Sequence, residues 1–296
     1  MPNNEFGDFQ TPLELAVQCL KLLNVPANAR VLEPTCGRGA FLQAATLLAP
    51  ATERIGFEIN RSYVNEASKW GKVRRANIFK IALPEEIPTS VNAPLFVIGN
   101  PPWVTSAELK RMGSDNVPKK ENFKSVKGLD VLLGASNFDV CEYIILKILR
   151  EFATTPFTFG MLCKTHVARN VIEYAANAKL PISNAACYRI DAKKWFNANV
   201  NACWFTLQMN AAGPANYTAC MCSDVFDSGK YLVTQFGVVK SLMVADIEKY
   251  SSVREADGVS PYEWRSGLKH DATQVFELLA TPVPTTKGGT IVDLEP

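Results

Sequence analysis

Val31-Leu32-Glu33-Pro34-Thr35-Cys36-Gly37-Arg38-Gly39 sets the end of an apolar run, a tight glycine turn and the start of a helical pattern in direct succession. Arg30–Glu33 reads as a short buried strand, and Gly39–Leu48 as the helix that follows it. Downstream the alternation continues, with a strand at Arg54–Glu58, a helix at Ser62–Trp70 and strands at Lys72–Ala76 and Leu95–Gly99. A long helix is expected over Val140–Phe152, with Ile144, Ile145, Ile148 and Leu149 on one side. Strands at Phe157–Cys163, Ser183–Ile190 and Ala202–Met209 follow, with a helix near Val167–Ala178. Upstream, Thr11-Pro12-Leu13-Glu14 has the pattern of a capping box, with Thr11 as N-cap, Pro12 at the first helical position and Glu14 reaching back. That helix should run to Leu23. Past Met209 the chain turns β-like at Tyr217–Cys222 and Tyr231–Val239, then helix-like at Thr273–Leu279, before a Pro/Thr/Gly-rich tail. Strands alternating with helices define an α/β class: a largely parallel sheet with helices on both faces. Such sheets bind ligands at the carboxyl ends of their strands.

The strand ends carry a consistent chemistry. Gly37 and Gly39 let a ligand approach the backbone, and the helix start offers free N–H groups. Glu33 at the end of the first strand suits a cationic amino group and repels a pyrophosphate, which favours S-adenosyl-L-methionine over a dinucleotide. Glu58 ends the second strand, where a carboxylate can accept hydrogen bonds from both ribose hydroxyls. Asn77-Ile78-Phe79 follows the third strand and offers a polar side chain and apolar neighbours to an adenine ring. Taken singly, Glu58 also fits a solvated glutamate, and Phe79 also fits plain core.

Val97-Ile98-Gly99-Asn100-Pro101-Pro102-Trp103, after the fourth strand, is the most specific signal in the chain. An exocyclic adenine amine is a poor nucleophile, because its lone pair is delocalised into the ring. Catalysis needs acceptors that take both amine hydrogens and draw the nitrogen towards tetrahedral geometry. Asn100 can supply a side-chain oxygen and Pro101 its carbonyl, while Pro101 and Pro102 fix the turn before substrate arrives. Trp103 offers a π-face on which an extruded base can stack, worth about 1–3 kcal/mol per base. No metal or covalent nucleophile is needed. A Pro-Pro loop beside a buried tryptophan is the structural alternative.

Composition bounds the rest. The 296 residues are 47% apolar and 20% charged with a net charge of +2, so any nucleic-acid surface must be a local patch. Six Lys/Arg against three Asp/Glu lie between Thr105 and Lys127, in a stretch that reads as a long loop. There Lys119, Lys120 and Lys124, with Lys110, Arg111 and Lys127, can clamp phosphates or simply be solvated. Eight cysteines without a Cys-x-x-Cys pair, and two histidines, His166 and His270, give no zinc pattern, so no metal is expected. Met1 to Asp8 lacks a basic-then-apolar leader, and no apolar run can span a bilayer, so a cytoplasmic location is expected.

With these residues in hand, the chain resembles the DNA adenine-N6 methyltransferases of bacterial type II restriction–modification systems, in their gamma motif order. The resemblance covers roughly Gly7 to Leu279. It implies a Rossmann-like S-adenosylmethionine-dependent methyltransferase fold with a mixed, mostly parallel seven-stranded sheet. It assigns Phe9-Gln10-Thr11-Pro12 to the methionine part of the cofactor. Glu33-Pro34-Thr35-Cys36-Gly37 with Gly39, Glu58 with Ile59, and Asn77-Ile78-Phe79 match its further cofactor motifs. Asn100-Pro101-Pro102-Trp103 matches its catalytic motif. Ser136-Asn137-Phe138-Asp139 resembles the motif whose aromatic walls the adenine pocket, here Phe138. Trp195-Phe196 falls where the family supplies the second stacking ring, here Phe196. Trp264 to Asp271 is similar to a stretch near the end of the catalytic region.

Two departures stand out. Asn77 occupies a position that is usually aspartate, and its amide oxygen can still accept the same hydrogen bond. The family's DNA-reading domain follows its catalytic one, yet this chain stops at Pro296. The expected organisation is therefore a catalytic core over 1–210, an extension over 211–280 and a tail over 281–296. The implied partners are double-stranded DNA, a target-recognition domain or subunit and a cognate restriction endonuclease. A glutamine-amide protein methyltransferase, an RNA adenine methyltransferase and a non-catalytic cofactor-binding subunit remain alternatives. Trp103 in place of the tyrosine favoured by the glutamine enzymes, together with the basic stretch, points to nucleic acid.

Overall fold

Arg30–Glu33 (β1) is buried along its whole length, as befits a central strand covered on both faces. In a computed structural model of the chain, residues 9–87, 93–111, 113, 114, 116, 139–223, 233–256 and 258 are described. β1 lies between β2 (Glu53–Glu58) and β4 (Leu95–Gly99) and is parallel to both. β3 (Lys72–Arg75) continues the sheet beyond β2, and β5 (Phe157–Lys164) continues it beyond β4, again in parallel. β7 (Ala202–Met209) enters antiparallel between β5 and β6 (Ile182–Ile190). These are the seven strands the sequence leads one to expect.

Three more strands extend the same sheet. β8 (Thr218–Cys222) pairs in parallel with β6. β9 (Val233–Val239) and β10 (Leu242–Val244) then add antiparallel strands, giving the order β10-β9-β8-β6-β7-β5-β4-β1-β2-β3. The chain divides into one unit over Met1–Ser252 and another over Val253–Pro296. In the second unit the described structure amounts to a short 3-10 turn at Arg254–Ala256.

The strand order reverses at β1. Chain growth runs β1 to β2 to β3 in one direction, then returns to β4 and proceeds the opposite way to β5. Right-handed crossovers put the connecting helices of the two halves on opposite faces, and a crevice opens between the carboxyl ends of β1 and β4. The helices are α1 (Leu13–Leu23), α2 (Ala40–Leu48), α3 (Arg61–Ala67), α4 (Leu83–Glu86), α5 (Ser106–Arg111), α6 (Val140–Glu151), α7 (Thr165–Asn177), α8 (Ala192–Phe196) and α9 (Ile247–Val253). α6 buries Ile144, Ile145, Ile148 and Leu149 at helical spacing, and α1 likewise buries Leu15, Ala16, Cys19 and Leu20. Phe41 of α2 stacks on Trp204 of β7 with centroids 5.3 Å apart, which helps pin that helix to the sheet.

Two local expectations change. Pro12, not Thr11, is the N-cap of α1, and no side chain caps it. The Thr11 hydroxyl instead accepts from Asn100 Nδ2 at 3.2 Å, and the Glu14 carboxylate accepts from Gln18 Nε2 at 3.4 Å. Part of the stretch read as a loop is α5, started by a reciprocal capping box. Thr105 N–H donates to Glu108 Oε2 at 2.7 Å, and Glu108 N–H donates to Thr105 Oγ1 at 3.3 Å. Lys119, Lys120, Lys124, Lys127 and Phe138 lie outside the described residues, as do Trp264 to Asp271 and Thr273–Leu279. No described helix is long and apolar enough to cross a membrane.

Candidate functional site

The turn after β1 is built to hold a ligand against backbone. Gly37 and Gly39 adopt φ of 50° and 85°, the left-handed region. A Cβ on Gly39 would lie 2.9 Å from Ala67 Cβ, so glycine there also lets α2 start against α3. The Gly37 N–H donates to Glu58 Oε2 at 2.9 Å and the Asn60 N–H to Glu58 Oε1 at 2.7 Å, which fixes the carboxylate at the end of β2. The Arg38 N–H donates to Gln10 Oε1 at 3.1 Å, so the segment before α1 is tied down beside the same turn.

Glu33 is only 3% exposed, and its Oε2 has no hydrogen-bond partner. Burial, offset in part by a backbone hydrogen bond from Leu42 and reinforced by the nearby Glu58 carboxylate, pushes its pKa well above the ordinary value. A buried carboxylate with an orphaned oxygen is costly by itself and favourable beside a cation. Cys36 shares this environment: burial, then the Glu33 and Glu58 carboxylates, keep its thiol protonated.

Asn100 follows β4. Its Nδ2 donates to the Phe9 carbonyl at 3.0 Å and to Thr11 Oγ1 at 3.2 Å. The Phe9 carbonyl can only accept, so the amide is oriented with nitrogen towards the N-terminal segment. Asn100 Oδ1 is left buried without a partner. Asn77, after β3, has both ends of its amide engaged. Its Oδ1 accepts the Phe79 N–H at 3.0 Å, and its Nδ2 donates to Asn116 Oδ1 at 2.7 Å.

A cleft of about 890 Å³, open solvent included, joins these groups. It is lined by Phe9, Gln10, Thr11, Glu33, Pro34, Thr35, Cys36, Gly37, Glu58, Ile59, Asn77, Ile78, Phe79, Asn100 and Pro102. Pro12, Gly39, Pro101, Trp103 and Phe196 do not line it. Tyr63, Leu109, Asn116, Val140 and Ile144 also line it and are not among the site residues expected from the sequence. The Thr105-x-x-Glu108 capping pattern was the available signal for α5, and thus for Leu109. Nothing local marks Asn116.

Trp103 departs from the expected open stacking face. It is 5% exposed, and its Nε1 donates to the Leu162 carbonyl at 3.2 Å. Its ring meets Phe196 edge-on at 5.1 Å, while Phe9 packs on Trp103 at 5.6 Å and on Phe196 at 5.7 Å. In this arrangement Trp103 and Phe196 leave no slot for a flat base, because Phe9 closes the third corner. Asp139 caps α6 by accepting from the Cys141 and Glu142 N–H groups at 2.9 and 3.3 Å. It also pairs with Lys164 at 3.0 Å and bridges to Thr105, anchoring the chain just past the Asn-Pro-Pro-Trp turn. His166, 60% exposed, lies 4.0 Å from the Asp139 carboxylate and does not line the cleft. Among the described residues no group of His, Cys, Asp or Glu is arranged to hold a metal, and all eight cysteines are free.

These donors and acceptors fit a cationic nucleoside ligand. The orphaned Glu33 oxygen faces the demand for a cation, the glycine turn admits close contact, and Glu58 and Asn77 supply polar groups around Ile78 and Phe79.

No family model matches the chain. Over 304 aligned positions it is 33% identical to the Type II methyltransferase M.NspV of Nostoc sp.. That similarity takes in 98% of this chain and 62% of the relative, so the chain is a homologue spanning about three fifths of that protein's length. Solved structures to which the chain is similar include a type I restriction-modification methyltransferase subunit from Streptococcus thermophilus, at 15% identity and TM-score 0.49, covering 85% of this chain and 54% of that one. The type I restriction enzyme EcoKI M protein is another, at 12% identity and TM-score 0.48, covering 73% and 48%.

Proposed function

We propose that this chain, homologous over nearly its whole length to a Type II methyltransferase, is the catalytic part of a restriction–modification DNA methyltransferase acting on the N6 amine of adenine. S-adenosyl-L-methionine is the proposed donor. One observation carries this reading: Asn100 has its amide nitrogen tied off twice and its buried oxygen unpartnered, in a cleft that also holds Glu33 and Glu58.

An acceptor left bare and held rigidly is what a poor amine nucleophile requires. Asn100 Oδ1 takes one amine hydrogen and the Pro101 carbonyl takes the other, which pulls the nitrogen lone pair out of conjugation with the ring. The prolines and the tether from Phe9 and Thr11 fix those oxygens beforehand, so no reorganisation is needed as charge develops. Glu33 meets the positive charge of the donor, Glu58 its ribose, and Asn77 to Phe79 its heterocycle. When bound, the donor supplies an electrophilic methyl carbon on a sulfonium. The amine nitrogen would form its bond to that carbon as the sulfur–methyl bond breaks and its electron pair returns to sulfur, leaving a neutral thioether, and one amine hydrogen would leave as a proton to solvent. Phe9, Trp103 and Phe196 form a packed aromatic cluster that holds the turn carrying Asn100. Double-stranded DNA is the proposed substrate, with a target-recognition region and a cognate endonuclease as functional partners.

The test incubates the full chain with methyl-labelled donor and, separately, adenine-containing duplex DNA, RNA and protein, then identifies the modified atom by mass spectrometry. N6-methyladenine in DNA is the expected product. Label confined to glutamine amides, to RNA or to cytosine refutes the proposal.

A further inference from the structure

The Asn77–Asn116 amide pair has a directional consequence. The Phe79 N–H is an obligate donor, so Asn77 must present its oxygen there, at 3.0 Å. Its Nδ2 then points to Asn116, whose oxygen accepts at 2.7 Å. Asn116 therefore has its amide orientation set by Asn77, and its Nδ2 has no partner among the described residues. The chain reaches this point by a turn at the end of α5. The Gly113 N–H donates to the Lys110 carbonyl, the Ser114 N–H donates to the Leu109 carbonyl and the Asn116 N–H donates to Ser114 Oγ. Leu109 and Asn116 thus arrive together at the cleft beside Ile78 and Phe79.

We infer that Asn116 is a recognition residue for the adenine ring of the cofactor: its Nδ2 donates a hydrogen bond to a ring nitrogen, while Asn77 holds the amide in that orientation. The inference rests on the S-adenosyl-L-methionine reading and adds to it a residue from the segment that follows the catalytic turn. Ile78, Phe79 and Leu109 give the cleft apolar walls that suit a flat heterocycle but do not choose among heterocycles. An N–H with its orientation set by Asn77 favours a heterocycle with a ring-nitrogen acceptor on its rim, as adenine has. It also places one wall of the cofactor site on the segment that follows the Asn-Pro-Pro-Trp turn.

Isothermal calorimetry with S-adenosylhomocysteine and its 1-deaza, 3-deaza and 7-deaza analogues tests this on the full chain. Asn116→Asp keeps the acceptor for Asn77 but has no N–H, and Asn116→Ala removes both. One net hydrogen bond corresponds to a loss of about three- to tenfold in affinity. Both variants should show that loss for S-adenosylhomocysteine. One deaza analogue should show it with the parent and no further loss with Asn116→Asp. Parent-like affinity of Asn116→Asp, or full affinity of the parent for all three deaza analogues, overturns the inference and leaves the cofactor reading standing. A parent that gives no binding heat with S-adenosylhomocysteine overturns both.

Discussion

Replacing Glu33 by glutamine should make the cofactor-free protein more stable and a poorer cofactor binder. Glu33 is 3% exposed, and its Oε2 is buried without a partner. An unmet buried acceptor costs about 1–3 kcal/mol, and a charged one more. Relieving the charge should therefore raise stability by about 1–3 kcal/mol, or about 2–10 °C in Tm for a unit of this size. The gain depends on pH in a fixed sense. The folded protein holds the Glu33 proton more tightly than the unfolded chain does, mainly because the carboxyl is desolvated. Its contribution to folding is thus fully present below the ordinary glutamate value of about 4.3 and is lost as pH rises through the raised folded value. Glu33→Gln has no such group, so its advantage over the parent should be absent near pH 4 and grow upward from there. Binding moves the other way. Removing one member of a buried charge pair costs about 2–5 kcal/mol, so the Kd for the cationic donor should rise about 30-fold or more. Thermal melts across pH, paired with calorimetry, measure both. An unchanged or lower Tm near neutral pH, or parent-like affinity for the donor, would refute the reasoning.

Asn100→Ala should cut methyl transfer at least about a hundredfold, the scale of losing one preorganised donor or acceptor, with cofactor affinity within a few-fold of the parent. A parallel collapse of cofactor binding would mean that its link to Phe9 and Thr11, not its oxygen, is what matters. Gly39→Ala must fit a methyl 2.9 Å from Ala67 Cβ at a φ of 85°, and should lose about 1–3 kcal/mol in urea titration with the m-value preserved. Trp103→Ala should cost about 3–5 kcal/mol of stability, because the ring is core-packed as well as adjacent to the site. A denaturation midpoint equal to the parent's would place that ring outside the core.

The order of strands and helices was legible because apolar periodicity and glycine punctuation are local. So was the set Glu33, Glu58, Asn77 and Asn100, since residues that end successive parallel strands converge on one rim whatever the loops do. The sequence also singled out Asn100 as the candidate acceptor, from Pro101 and Pro102 beside it. It could not say how that amide is turned. Asn100 is oriented by the carbonyl of Phe9, 91 positions earlier.

The remaining features depend on long-range partners. Thr11-x-x-Glu14 and Thr105-x-x-Glu108 carry the same capping pattern, yet only the second forms the box, because Asn100 captures the Thr11 hydroxyl. Trp103 reads as a free stacking face until Phe9, Phe196 and the Leu162 carbonyl are brought around it. Asn116 has no signature at all beside Asn77, 39 positions away. Strand ends and turn chemistry were set by the sequence through short-range sterics and burial. The direction of each amide and the closure of the aromatic triad came only from the fold, because a hydrogen-bond partner distant in the chain is chosen by packing.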